Sequence, residues 1–123
     1  MSAYLFVEPR DPLEADEVLH FYALALGLAR DRHPVMLFLL NDGVLPASRS
    51  QSTVLLRELV EAGVEITADE TSLRQRGIAT SALAAGVRPA TIDVVFALLA
   101  AGRTVIWQRA REPASPASPD GRP

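Results

Sequence analysis

Apolar and polar positions along this chain follow two periods, one suited to strands and one to helices. Tyr4 to Val7 is a short apolar run closed by Glu8 and Pro9, which predicts a buried strand. Asp11, Pro12 and Glu14 then supply a helix start: a capping acid, a proline suited to the first helical position and a second acid in capping-box spacing. Behind them Val18, Tyr22, Leu26 and Ala29, with Ala15 and Ala25 alongside, form one apolar stripe and predict a helix ending near Arg32. Val35 to Leu40 is apolar without interruption, the pattern of a central parallel strand covered on both faces, and the turn residues Asn41-Asp42-Gly43 follow it directly. Val54, Leu55, Leu59 and Val60 make a second helical stripe closed by Gly63, and Val64 to Thr67 gives a third strand. Short helical stretches are expected around Leu73 to Arg76, stopped by Gly77, and over Ser81 to Ala85, before Gly86. Thr91 is expected to cap a helix through Ala101, ended by Gly102, and Thr104 to Gln108 reads as a final strand.

Strands alternating with helices across short loops predict an α/β fold: a three-layer α/β/α sandwich around a mainly parallel sheet, with right-handed crossovers. In such sheets ligands bind beyond the carboxyl ends of the strands. Here those ends are Glu8 to Asp11, Asn41 to Leu45, Ala68 to Ser72 and Gln108 to Arg109.

Composition narrows the functional classes. At 123 residues and 13.3 kDa the chain suits one domain, expected over 1–110. The closing segment EPASPASPDGRP carries four prolines and no large apolar side chain, so 111–123 is expected to be a flexible tail. There is no cysteine, which excludes disulfides, thiolate metal sites and thiol nucleophiles. A net charge of -3 and a pI of about 5.3 argue against nucleic acid as a partner, although all 12 basic residues are arginine. The longest apolar run, Val35 to Leu40, is too short to span a bilayer, and the chain opens without a secretory signal pattern, so no membrane association and a cytoplasmic location are expected.

Three stretches, VMLFLLNDGV at Val35 to Val44, GVEITADETSLRQRGI at Gly63 to Ile78 and IDVVFALLAAGRTVIW at Ile92 to Trp107, together with Arg10-Asp11-Pro12, resemble the DsrE/DsrF-like (YchN-like) sulfur-relay family in order and spacing. The resemblance covers Ala3 to Arg109 and implies a flavodoxin-like subunit of the DsrE/F type that assembles into trimers or hexamers. Working members carry a pattern resembling Cys-x-x-Ser ahead of Arg-Gly-Ile at the end of the third strand. Ser72 and Arg76-Gly77-Ile78 hold their places here, and Asp69 stands where the cysteine would be. A carboxylate cannot accept sulfane sulfur, since that step needs a polarizable thiolate that attacks and later leaves. Covalent persulfide transfer by this chain is therefore excluded, and whether it is an enzyme of another kind stays open.

The candidate ligand-binding residues are Arg10, Asn41, Asp42, Gly43, Asp69, Glu70, Ser72 and Arg76, each with a plainer role available. Asn41-Asp42-Gly43 presents amides and a carboxylate, or is simply a turn. Asp69 and Glu70 are a cation or proton site, or a solvated acidic loop. Ser72 reads as a helix cap, and Arg76 as an anion or subunit contact, or an arginine facing water. His20 and His33 stand alone, Trp107 reads as a core or interface residue, and no metal or cofactor is expected. The family resemblance without the cysteine points to a non-catalytic or accessory subunit acting through protein contacts in sulfur trafficking. Its partners would be copies of itself, DsrE-like subunits or other sulfur-relay proteins. A small-molecule binding protein or enzyme with a pocket rebuilt around Asp42, Asp69, Glu70 and Arg76 is the alternative, and a purely structural oligomer is a third reading.

Overall fold

Strand alternation and helix stripes resolve, in a computed structural model that describes residues 2–108, into a five-stranded sheet of order β4-β3-β2-β1-β5 in which every neighbouring pair is parallel. The strands are β1 (Tyr4–Glu8), β2 (Val35–Leu39), β3 (Glu65–Asp69), β4 (Val87–Ala90) and β5 (Thr104–Trp107). The helices are α1 (Asp16–Arg30), α2 (Val54–Glu61), α3 (Glu70–Gln75) and α4 (Asp93–Ala100). Short 3-10 helices cover Asn41–Ala47 and Thr80–Ala82. The tail expected over 111–123 lies outside the described residues.

The sheet separates two cores. On one face Phe6, Leu37, Leu39, Ile66 and Ala68 pack with Val18, Phe21, Tyr22, Ala25 and Leu26 of α1 and with Leu56 and Leu59 of α2. On the other, Leu5, Val7, Met36 and Phe38 meet Val95 of α4, flanked by Ile92, Val94, Leu98 and Val105. The expected three-layer α/β/α architecture is thus the observed one. The second layer is thin: α4 is apolar almost all round, and Phe96 and Leu99 on it remain more than half exposed.

Local chemistry explains most boundaries. Thr53 caps α2, its Oγ1 accepting the Leu56 N–H at 3.1 Å, and Gly63 closes that helix at φ +94°, a conformation that costs glycine no Cβ clash. Four expectations need correction. Glu8 is the last residue of β1, paired in register with Leu39, and not the first residue beyond it. Helix α1 begins at Asp16, not at Asp11: Asp11 Oδ1 accepts the Leu13 N–H at 3.1 Å in a separate turn, and the apolar stripe of the helix starts with Ala15 and Val18. Helix α4 starts at Asp93 behind Ile92 without a side-chain cap, so Thr91 is not its N-cap. The strand β4 was not expected, because Arg88 and Pro89 break its apolar pattern; a proline is tolerated there since β4 lies at the sheet edge.

Candidate functional site

Three strand ends supply the candidate residues. Asp69, the last residue of β3, is the N-cap of α3: its Oδ2 accepts the Ser72 N–H at 2.9 Å and the Ser72 hydroxyl at 2.7 Å. The Ser72 Oγ in turn accepts the Asn41 N–H at 2.8 Å, which ties the end of β2 to α3. Asp42, next along, is joined to Arg76 beyond α3: Nε and Nη2 both donate to Asp42 Oδ1, at 3.0 and 2.8 Å, while Nη1 donates to the Ser72 carbonyl at 3.2 Å. Ser72 is therefore not the cap but the residue that bridges the cap to the neighbouring loop. Asp69 is 6% exposed, which rules out a solvated acidic loop at that position. Arg76 does not face water unpartnered, because the carboxylate of Asp42 holds it.

Asn41, Asp42, Asp69, Ser72 and Arg76 are thus brought together in one network. Glu70 follows in the first turn of α3, half-buried and outside that network. Arg10 turns elsewhere, its Nη2 donating to Glu17 of α1 at 3.2 Å. Gly43 has a steric role: a Cβ built on it would lie 2.1 Å from the Glu8 carbonyl oxygen, so only glycine lets this loop rest on β1. Asn41 enters the loop at φ +51°, a region asparagine visits more readily than most residues. Neither histidine joins the cluster: His20 is exposed, and His33 packs edge-on against Tyr4. Trp107, at the end of β5, is half exposed and lies outside both cores.

Beneath these loops lies a second polar group that the sequence reading did not single out. Glu8 is completely buried; Oε2 accepts the Arg10 N–H at 3.0 Å and Oε1 has no partner. Burial pushes its carboxyl up from 4.5 to about 7, against the opposing pull of the Arg10 N–H and guanidinium. Tyr22 of α1 is also completely buried with its hydroxyl unpartnered, and burial, reinforced by the charges of Glu8 and Asp11, raises its pKa above the ordinary range. One signal was available. Continuing the alternation of β1 places Glu8 on the same face as Phe6, toward α1, and not in solvent.

Chemically, the upper network uses its polar atoms on one another and contains no nucleophilic thiol. Among the described residues no group of three His, Cys, Asp or Glu side chains is placed to hold a metal ion. Two cavities of about 320 and 260 Å³ open at the opposite, amino-terminal end of the sheet, near Ala3 and Gly102 and near Pro34 and Gly63. A third of about 280 Å³ lies between Arg49, Ser52, Arg57, Ala84 and Ala85. None of the three is lined by a candidate residue.

Comparison with known proteins follows the same lines. The model of the DsrE/DsrF-like family matches residues 1–107. Among solved structures, the chain is similar to the ychN protein of Escherichia coli, with a TM-score of 0.77 and 24% identity over 88% of this chain and 100% of that one. It is also similar to MTH1491, a protein of unknown function from Methanobacterium thermoautotrophicum, with a TM-score of 0.74 and 20% identity over 88% and 100% of the two chains. A conserved protein of unknown function from Bacteroides thetaiotaomicron, BT1422, aligns with a TM-score of 0.63 and 18% identity over 85% and 94%. No curated protein matches the chain. With the family match running from the first strand to the last, and with a fold shared with these structures, the chain belongs to the DsrE/DsrF-like family.

Proposed function

We propose that this protein is an accessory, non-catalytic DsrE-like subunit that acts through protein contacts in sulfur trafficking, in the cytoplasm. The observation that carries the reading is the fate of Asp69. It stands where the family pattern resembles a cysteine, and its carboxylate caps α3 instead of lying free for chemistry. The neighbouring charges are occupied too, since Asp42 and Arg76 hold each other. That pairing disfavours the alternative of a small-molecule pocket rebuilt around Asp42, Asp69, Glu70 and Arg76. The exposed apolar side chains of Phe96 and Leu99 on α4, and Trp107 on β5, support a role in assembly, because a helix apolar on all sides is stable where a neighbour covers it. The assembly is a closed trimer or hexamer, of this chain alone or with cysteine-bearing DsrE-like subunits.

The test is recovery of the tagged protein from its own cells under gentle conditions, followed by native mass spectrometry. A closed oligomer that contains a cysteine-bearing sulfur carrier, or captures one when it is added, is the expected result. A chain that neither co-purifies with nor binds such a carrier refutes the reading.

A further inference from the structure

The third cavity has a different character from the network at the strand ends. Its walls carry two arginines, Arg49 and Arg57, with the hydroxyl residue Ser52 between them in sequence, and the small side chains of Ala84 and Ala85 leave the space open. The position of Arg49 is fixed by a short antiparallel bridge between Ser48 and Leu83: the Arg49 N–H donates to the Ala82 carbonyl at 2.9 Å, and the Ala84 N–H to the Ala47 carbonyl at 2.7 Å. Arg57 projects from the first turn of α2. Side chains on a helix lean toward its amino end, which carries this guanidinium back toward Ser52.

The ion pairs among the described residues are Arg10–Glu17, Arg76–Asp42 and Arg88–Glu65, so neither Arg49 nor Arg57 has a carboxylate partner there. Two cations share one cavity with no counter-charge, in a protein whose net charge is -3. Both arginines are exposed but line the same cavity, and an anion held between them would be attracted by both charges. Guanidinium groups present paired N–H donors whose spacing matches carboxylate and phosphate oxygens, and the serine hydroxyl adds a further donor. A volume of about 280 Å³ lies at the small end for ligand pockets, enough for an oxyanion headgroup but not for a large organic body.

We infer that the cleft formed by Arg49, Ser52 and Arg57 binds a phosphate-like oxyanion, free or as the terminal group of a larger molecule. The site is independent of the accessory role proposed above and shares no residue with the Asp69 network.

Calorimetric titration of the full-length protein with inorganic phosphate and, separately, with phenyl phosphate, at constant ionic strength, tests it. Saturable binding is expected, weakened about tenfold or more by Arg49→Gln and by Arg57→Gln, and unchanged by Arg30→Gln on the surface of α1. Tighter binding of phenyl phosphate assigns the site to a phosphorylated molecule; equal or tighter binding of inorganic phosphate assigns it to the free ion. Absence of saturable heat with both probes overturns the inference, as does equal affinity in all three variants. Circular dichroism of each variant checks that the fold is retained.

Discussion

Glu8 makes the stability of this fold depend on pH in a direction opposite to that of most carboxylates. In the unfolded chain its carboxyl titrates near 4.5 and in the folded protein near 7, so between those values the folded state holds the extra proton. Stability from this group is complete below about 4.5 and is lost as the pH rises through about 7. The gap, at about 1.4 kcal/mol for each pH unit, sets a ceiling of about 3.5 kcal/mol on the loss. That is a large share of the margin of a domain this size. The perturbation is Glu8→Gln, which keeps an oxygen for the Arg10 N–H and never ionises. Urea unfolding from about pH 5 to about pH 8.5, followed by circular dichroism, gives the difference between variant and native protein at each pH. The expected difference grows in favour of Gln as pH rises and levels off above the folded-state pKa. A difference that stays constant across the range would mean that Glu8 ionises as freely in the fold as in the unfolded chain, and would refute the reasoning.

Substitutions at three further positions have expected outcomes. Gly43→Ala places a methyl group 2.1 Å from the Glu8 carbonyl oxygen and should cost about 2 kcal/mol or more, read as a lower Tm; an unchanged Tm would show that the loop yields freely. Asp69→Ala removes the cap of α3 and the partner of the Ser72 hydroxyl, an expected loss of about 1–2 kcal/mol in urea unfolding, with Asp69→Asn retaining most of the cap. Tyr22→Phe deletes a buried hydroxyl that has no partner, so stability at neutral pH should be unchanged or higher, and a loss above about 1 kcal/mol would reveal a hydrogen bond for that hydroxyl.

The legible part of this fold is the part whose signal is local. The unbroken run at Val35 to Leu40 announced the central strand β2, which ends one residue earlier, and the stripe ending at Gly63 announced α2 with its left-handed close. Strand β4 was hidden because Arg88 and Pro89 look like loop residues until β3 lies beside them. The start of α1 was misplaced because Asp11 and Pro12 carry helix-start chemistry, yet Asp11 serves a turn and the packing stripe begins at Ala15. At the strand ends, position told which residues would meet but not which would satisfy each other. Asp42 and Arg76 lie 34 residues apart, and only the parallel crossover brings them within 2.8 Å. Glu8 escaped for the converse reason: an acid after an apolar run looks like the end of a strand, and its burial depends on α1 lying over it.

The place of β1 in the sheet has a consequence for how the chain matures. Tyr4 pairs with Val35 on one side and with Thr104 on the other, so the strand made first is flanked by one neighbour about thirty residues away and another about a hundred. Such a distant closure is slow because the loop entropy must be overcome before the contacts form. During synthesis, β1 carries Leu5, Phe6 and Val7 on an open edge until Thr104 to Trp107 has left the ribosome. The newborn protein therefore passes through a stage in which β1 is an unpaired apolar margin of the sheet, and β5 acts as the latch that ends its exposure to misassociation.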